Sequence, residues 1–171
     1  GLPETLVTSA AEAAKEAGKD GKWLFTLHNP SVMPFLQYAD NRSLREKIFK
    51  AYIMRGNNGN ANDNKDVVKK LVTARLEQAQ LLGFKDFAAY ALDENMAKDE
   101  ANVYKLLDQI WKPALVKAKE ELADINAEIK KEGGNFQAEG WDWRYYFEKA
   151  KKSRFNLDEN EVRPYLELNN V

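Results

Sequence analysis

The most constraining feature of this sequence is a long apolar stripe between Asp99 and the Gly133-Gly134 pair. Its members recur at spacings of three or four and are Val103, Leu106, Leu107, Ile110, Ala114, Ala118, Leu122, Ile125 and Ile129. This period is that of one face of an α-helix, so the stripe predicts a single long helix. Pro113 lies inside the stripe and lacks a backbone N–H, so we expect it to bend the helix rather than end it.

Shorter stretches with the same helical period surround the long one. They cover residues 3–17, 41–56, 64–82 and 86–92, and the polar run 57–63 between two of them predicts a loop. Asp40, Asn41 and Ser43 are the candidate N-caps of the 41–56 helix. Ser43 and Glu46 also have the spacing of a capping box.

Residues 22–27 (KWLFTL) form the best strand candidate because they are apolar, aromatic and bounded by Gly21 and by Asn29-Pro30. A lone strand cannot satisfy its own backbone groups, so this strand would need a partner within or beyond the chain. The predicted fold class is therefore mainly α. We expect a multi-helix bundle over 1–171, with one long Pro-bent helix and at most a minor strand or hairpin near 22–27.

Composition excludes several classes of function. The 171 residues carry a net charge of −1 and no cysteine, so thiolate metal sites, cysteine nucleophiles and disulfides are excluded, and the chain as a whole has no electrostatic attraction to nucleic acid or anionic membranes. No apolar run approaches the length of about 20 residues that a membrane-spanning helix needs.

The only histidine, His28, follows the predicted strand. We interpret it as a loop histidine that is bonded locally or to solvent. No catalytic, cofactor-binding or metal motif is readable from the residues.

The densest aromatic stretch is GWDWRYYFEKAKKSRF, residues 140–155. One interpretation is a platform on which single-stranded nucleic acid stacks, but such sites need a basic groove. The favoured interpretation is packing at the start of a helix, with Asp142 as N-cap and Trp141 stapled onto Tyr146. The resulting candidate packing cluster is Trp141, Asp142, Arg144, Tyr145 and Tyr146.

This stretch also resembles part of the thimet-oligopeptidase family of zinc metallopeptidases, and most closely its bacterial peptidyl-dipeptidase branch. The family's Trp-Asp-x-x-Tyr-Tyr segment is matched by Trp141, Asp142, Tyr145 and Tyr146. Its Arg-Pro-Tyr-Phe-x-Leu-x-x-Val segment is matched by Arg163, Pro164, Tyr165, Leu168 and Val171, with Leu166 in place of Phe.

Further family patterns occur in order along nearly the whole chain. A Leu-Arg…Ala…Arg helix is matched by Leu44, Arg45, Ala51 and Arg55, and Met96-Ala97 and the long Pro113 helix also fall where the family has them. A Leu-x-x-x-Arg-x-x-x-Ala-x-Leu-Leu-Gly-aromatic pattern is matched by Leu71, Arg75, Ala79, Leu81, Leu82, Gly83 and Phe84. Each pattern alone is weak, whereas several in register are a strong indication of the family.

The resemblance implies a largely helical peptidase with a deep channel for short peptides and zinc held by a His-Glu-x-x-His helix. It also implies an alternative to packing for the candidate cluster, namely a place in the wall of that channel. With one histidine, this chain cannot contain that helix, so no catalytic or zinc-binding role is transferred to any residue here. We therefore expect a non-catalytic piece of a longer polypeptide that partners the zinc-binding part and works in the cytoplasm or periplasm. A dimer of the isolated piece would then reflect an exposed docking surface. The alternative is a free-standing helical module that binds a protein or peptide, with few exposed aromatic side chains.

Overall fold

A computed structural model describes residues 1–156 and Tyr165 of the chain. Within those residues the fold consists of helices joined by turns and loops, so the prediction of a mainly α fold is confirmed. The helices, in chain order, are α1 (Glu4–Glu16), α2 (Asn29–Tyr38), α3 (Arg42–Ile53), α4 (Lys65–Leu81), α5 (Phe87–Asp93), α6 (Glu100–Lys131) and α7 (Trp143–Phe155). Helix α6 continues through Pro113, as the apolar stripe predicts.

The chain divides into two compact units. The first comprises Gly1–Ile53 together with Glu120–Val171, and the second comprises Met54–Lys119. In the first unit, α2 packs against both α3 and α7. Its core joins Ile125 and Ile129 of α6 to Tyr145 and Tyr146 of α7, with Phe136, Ala138 and Trp143 packed around them.

The second unit exposes much of its apolar surface. Helix α4 contacts α5, and the Arg75 guanidinium lies 5.0 Å from the centre of the Phe87 ring. The apolar positions of α4 and of the first half of α6 are nevertheless largely in solvent; they include Val68, Leu71, Val72, Leu106, Leu107, Ile110 and Trp111. These helices have amphipathic faces that the described residues leave uncovered.

The predicted strand at 22–27 is wrong. The segment is non-helical but pairs with no strand in the described part of the chain. Its bonds are to neighbouring helices instead, since the Leu24 N–H donates to the Ala10 carbonyl at 2.9 Å and the Thr26 N–H to the Ser31 hydroxyl at 2.9 Å. Phe25 packs edge-on against Phe35, with ring centres 4.6 Å apart. The apolar pattern thus reflects docking onto helices and not a β-ladder.

Helix α2 was not predicted from the sequence. Pro30 lies in its first turn, where no backbone donor is needed, and Pro34 lies in its interior. Two prolines within five positions are typical of a turn, yet Val32, Phe35 and Leu36 are buried. The burial of this apolar face offsets the hydrogen bond that Pro34 cannot make.

Of the three candidate caps for α3, Asn41 is the one used. Its side-chain oxygen accepts the Leu44 N–H at 3.2 Å and the Ser43 hydroxyl at 2.8 Å. Because the Ser43 hydroxyl is directed back to Asn41, the prediction of a Ser43–Glu46 capping box is wrong.

Candidate functional site

The start of α7 is organised around one buried carboxylate. Asp142 occupies the N-cap position of α7, as predicted, but its side chain makes no cap hydrogen bond. Its carboxylate instead accepts from two arginines of α3: from Arg42 through Nε (3.0 and 3.1 Å) and Nη2 (2.8 Å), and from Arg45 through Nη2 (2.9 Å). The capping role assigned to Asp142 is therefore wrong, because these two cations provide stronger, charge-assisted bonds than a helix N–H.

The Arg45 side chain is as fully buried as the Asp142 carboxylate that it binds. Three further N–H groups of Arg45 donate to backbone carbonyls: Nη1 to Ala39 (2.8 Å) and Asp40 (3.1 Å), and Nε to Trp141 (3.2 Å). With four of its five N–H groups bonded, the buried guanidinium restricts how its neighbours can be arranged. The Arg45–Asp142 pair therefore fixes the start of α7 against the start of α3.

Arg42 is the less buried of the two arginines. Its hydrogen bond with Asp142 raises the pKa of the Arg42 guanidinium above its usual value. The guanidinium carbon also lies 4.1 Å from the centre of the Phe136 ring. No sequence signal singled out Arg42, since its role depends on the position of α7.

The two tyrosines of the candidate cluster are buried in the core of the first unit. Their rings meet edge to face at 5.0 Å between centres, and the Arg45 guanidinium lies 4.0 Å from the centre of the Tyr145 ring. Burial raises the pKa of both phenols above the usual value. The Tyr145 hydroxyl donates to the Asp40 carboxylate at 2.9 Å, and that bond is the main cause of the lowered pKa of Asp40.

Trp141 lies outside this stack, and its predicted staple onto Tyr146 is replaced by other contacts. The Trp141 ring meets Phe49 of α3 with centres 6.1 Å apart, and the Lys50 ammonium lies 5.1 Å from its centre. Gly140 makes the close approach of these segments possible, since a β-carbon there would lie 2.6 Å from Cζ of Phe49. Among the described residues, the buried indole N–H of Trp141 has no acceptor.

Arg144 points away from the core and lines a cleft of about 640 Å³. The other side chains that shape this cleft are those of Gln37, Glu121, Trp143, Phe147, Glu148 and Lys151. Arg144 is thus the one member of the candidate cluster that faces a solvent-filled space. The other four members contribute to contacts between helices.

This arrangement does not favour a nucleic-acid platform. Tyr145 and Tyr146 are too enclosed for bases to stack on their faces. Lys151, one of the cations that such a site would need, forms an ion pair with Glu148 at 3.1 Å. Within this stretch, Trp141 contacts α3 through Phe49, Tyr145 contacts α3 through Arg45, and Tyr146 packs in the core with Ile125 and Ile129 of α6.

His28 occupies the N-cap position of α2 and is exposed. Its carbonyl accepts the N–H groups of Ser31 and Val32, both at 2.9 Å. No group of three or more potential metal-ligating side chains occurs within the described ranges 1–156 and 165. The same residues include no helix with the length and apolarity that crossing a bilayer requires.

Part of the family resemblance falls outside the described residues. Arg163, Pro164, Leu166, Leu168 and Val171 are among those positions. Tyr165 is described and exposed. The structural account of the resemblance consequently rests on α3, α4, α6 and α7.

Comparison with known proteins shows which family this is. The model of peptidase family M3 matches residues 35–171, which include the Arg42–Arg45–Asp142 network. Since the match covers most of the chain, the chain belongs to peptidase family M3.

The relatives are much longer than this chain. It is similar to a dipeptidyl carboxypeptidase of Escherichia coli (strain K12), at 40% identity over 171 residues that make up 100% of this chain and 25% of the relative. It is similar to an oligopeptidase A of Haemophilus influenzae, at 34% identity over 175 residues, 100% of this chain and 26% of the relative. It also resembles saccharolysin of Saccharomyces cerevisiae, at 27% identity over 176 residues, 98% of this chain and 24% of the relative. The chain thus spans about a quarter of the length of these relatives.

Proposed function

We propose that residues 1–171 are one non-catalytic segment of a zinc-dependent peptidyl-dipeptidase or oligopeptidase that hydrolyses short peptides. The observation that carries this proposal is the family match over 35–171 in a chain with a single histidine. A His-Glu-x-x-His zinc helix needs two histidines, and the carboxylates around His28 do not supply a metal site in the described residues. The chemistry is therefore assigned to another part of the polypeptide.

In this proposal the segment forms a wall of the peptide channel and supports the zinc-binding part. The buried Arg42–Arg45–Asp142 network makes the α3–α7 contact rigid, as a wall of defined shape requires. The uncovered apolar faces of α4 and of the first half of α6 would be covered by further parts of the same polypeptide.

The alternative, a free-standing interaction module, receives less support. It predicts a sealed surface with few exposed aromatic side chains, whereas Tyr104 is 66% exposed and Trp111 is 61% exposed. Both lie on the same half of α6.

A peptide-release assay tests the proposed function. The 171-residue chain and the full-length protein are each incubated with zinc and an N-terminally blocked tetrapeptide, and released dipeptide is quantified. We expect no turnover by the chain and chelator-sensitive turnover by the full-length protein. Chelator-sensitive turnover by the chain alone would contradict the proposal, as would an inactive, zinc-loaded full-length protein.

A further inference from the structure

The cleft beside the first turns of α7 contains a cation that has no partner within residues 1–156 or at Tyr165. Arg144 is exposed and makes no hydrogen bond or ion pair with any residue that the structure describes. The other cation of the cleft differs, because Lys151 is paired with Glu148 at 3.1 Å and both side chains are largely enclosed. Gln37 Nε2 donates to the same Glu148 oxygen at 2.8 Å. Arg144 is therefore the group with donors available to a bound anion.

The rest of the cleft restricts what that anion can be. Glu121 lines the same space, and its carboxylate has no partner among the described residues. Together with Glu148 it would repel a polyanion such as a nucleotide or nucleic acid. It could accept an N–H group from a ligand that carries both a carboxylate and amide donors.

Aromatic side chains provide an apolar wall next to Arg144. Phe147 is 41% exposed and Trp143 is half-buried, and both line the cleft with Arg144. Phe147 lies four positions after Trp143 and three after Arg144, so its ring neighbours both side chains on the surface of α7. All three line the same cleft. Guanidinium groups bind carboxylates through paired, charge-assisted hydrogen bonds.

We propose that this cleft binds the carboxyl end of a peptide whose last side chain is apolar. The Arg144 guanidinium binds the terminal carboxylate, Glu121 accepts a peptide N–H, and Trp143 and Phe147 pack against the last side chain. The choice of a peptide ligand rests on the proposed function, whereas the binding geometry rests on the cleft alone.

The test is a binding titration of the 171-residue chain without zinc, followed by ¹H–¹⁵N NMR shifts. The probes are N-acetyl-alanyl-phenylalanine, the same dipeptide as its C-terminal amide, and acetate. We expect the free acid to bind with millimolar affinity and to shift resonances of α7, and the amide to bind about tenfold more weakly, since it lacks the charge that Arg144 recognises. Acetate should also bind more weakly than the acid, because it has no side chain for the aromatic wall.

Two variants make the assignment specific to Arg144. Arg144→Gln should weaken binding of the free acid about tenfold and leave binding of the amide unchanged. Arg154→Gln is the matched control, since Arg154 lies on the same helix but is paired with Asp124 at 2.8 Å. Both arginines are exposed, so equal unfolding midpoints by circular dichroism will show that both variants are folded.

The proposal is overturned by any of four results: no shift with the free acid, equal affinities for acid and amide, unchanged affinity in Arg144→Gln, or acetate binding as tight as the dipeptide. The last result would identify a general anion site. None of these results changes dipeptide release by the full-length protein, so failure of this inference is distinguishable from failure of the proposed function.

Discussion

Arg45 and Asp142 lie 97 positions apart in the chain, and the Nη2–Oδ1 distance between their side chains is 2.9 Å. Both are almost completely excluded from solvent, with 1% and 0% of the side chain exposed. Arg42 occupies the other carboxylate oxygen at 2.8 Å. The single negative charge of Asp142 thus pairs with two cations. The contact between α3 and α7 depends on this carboxylate.

The first prediction is that Asp142→Asn destabilises the chain by about 3 kcal/mol. The amide can accept hydrogen bonds but carries no charge, so the buried Arg45 guanidinium would remain without a counter-ion. Urea unfolding followed by circular dichroism measures the loss in free energy of unfolding. The matched control is Asp124→Asn, which breaks the exposed pair with Arg154 and should cost less than about 1 kcal/mol. Equal effects of the two changes would contradict the structural role of Asp142.

The second prediction concerns the contact between Gly140 and Phe49. An alanine β-carbon at position 140 would lie 2.6 Å from Cζ of Phe49, so Gly140→Ala should destabilise the chain by about 1–3 kcal/mol through overpacking. In a Phe49→Leu background the ring is gone, and the same change should cost less than half as much. The four unfolding free energies form a double-mutant cycle. A coupling energy of zero would rule out the clash.

The third prediction concerns Tyr145 and Asp40. Tyr145→Phe removes the hydroxyl that donates to Asp40 and should cost about 1 kcal/mol at neutral pH. The pKa of Asp40 should rise toward its ordinary value of 3.8, because this bond is the main cause of its lowered value. A carboxyl with a lowered folded-state pKa contributes stability above its unfolded pKa and loses it as the pH falls through the folded one. The difference in stability between wild type and Tyr145→Phe should therefore shrink below about pH 4.

NMR titration of the Asp40 carboxyl carbon measures that pKa directly. Tyr146→Phe is the control, since Asp40 is bonded to the neighbouring hydroxyl of Tyr145. An Asp40 titration that is the same in Tyr145→Phe and wild type would show that the bond is absent in solution.

The fourth prediction concerns the loop before α4. The pKa of Asp63 is lowered to about 2, first by the hydrogen bond from the Lys65 ammonium and then by the N–H groups of Lys65 and Gly59. Lys65→Met removes the largest of these causes, so the pKa of Asp63 should rise but stay below 3.8. The stabilisation from Asp63 is complete above about pH 4 in the wild type and is lost as the pH falls toward the folded-state pKa.

Carboxyl titration by NMR checks this value. Lys69→Met, one turn further along α4, is the control and should leave the Asp63 titration unchanged. A wild-type Asp63 that titrates at its ordinary pKa would contradict the loop geometry.

Local chemistry determined much of this fold. Helix α6 is readable from its apolar period alone because each helical hydrogen bond joins residues four positions apart. The loop at 57–63 and the short helix α5 are also readable, since polar runs and apolar periods act within a few residues. Membership of the family follows from such local patterns taken in order along the chain.

Tertiary structure decided the rest. Residues 22–27 have strand composition but lie against α1 and α2, and α2 forms despite Pro34 because its apolar face is buried. Asp142 has the sequence context of an N-cap and became the counter-ion of Arg42 and Arg45 instead. Its partners are about a hundred positions away, and no local pattern encodes which distant charge will meet a buried carboxylate. That choice depends on the free energy of the packed helices, where an unpaired buried charge costs far more than a lost cap.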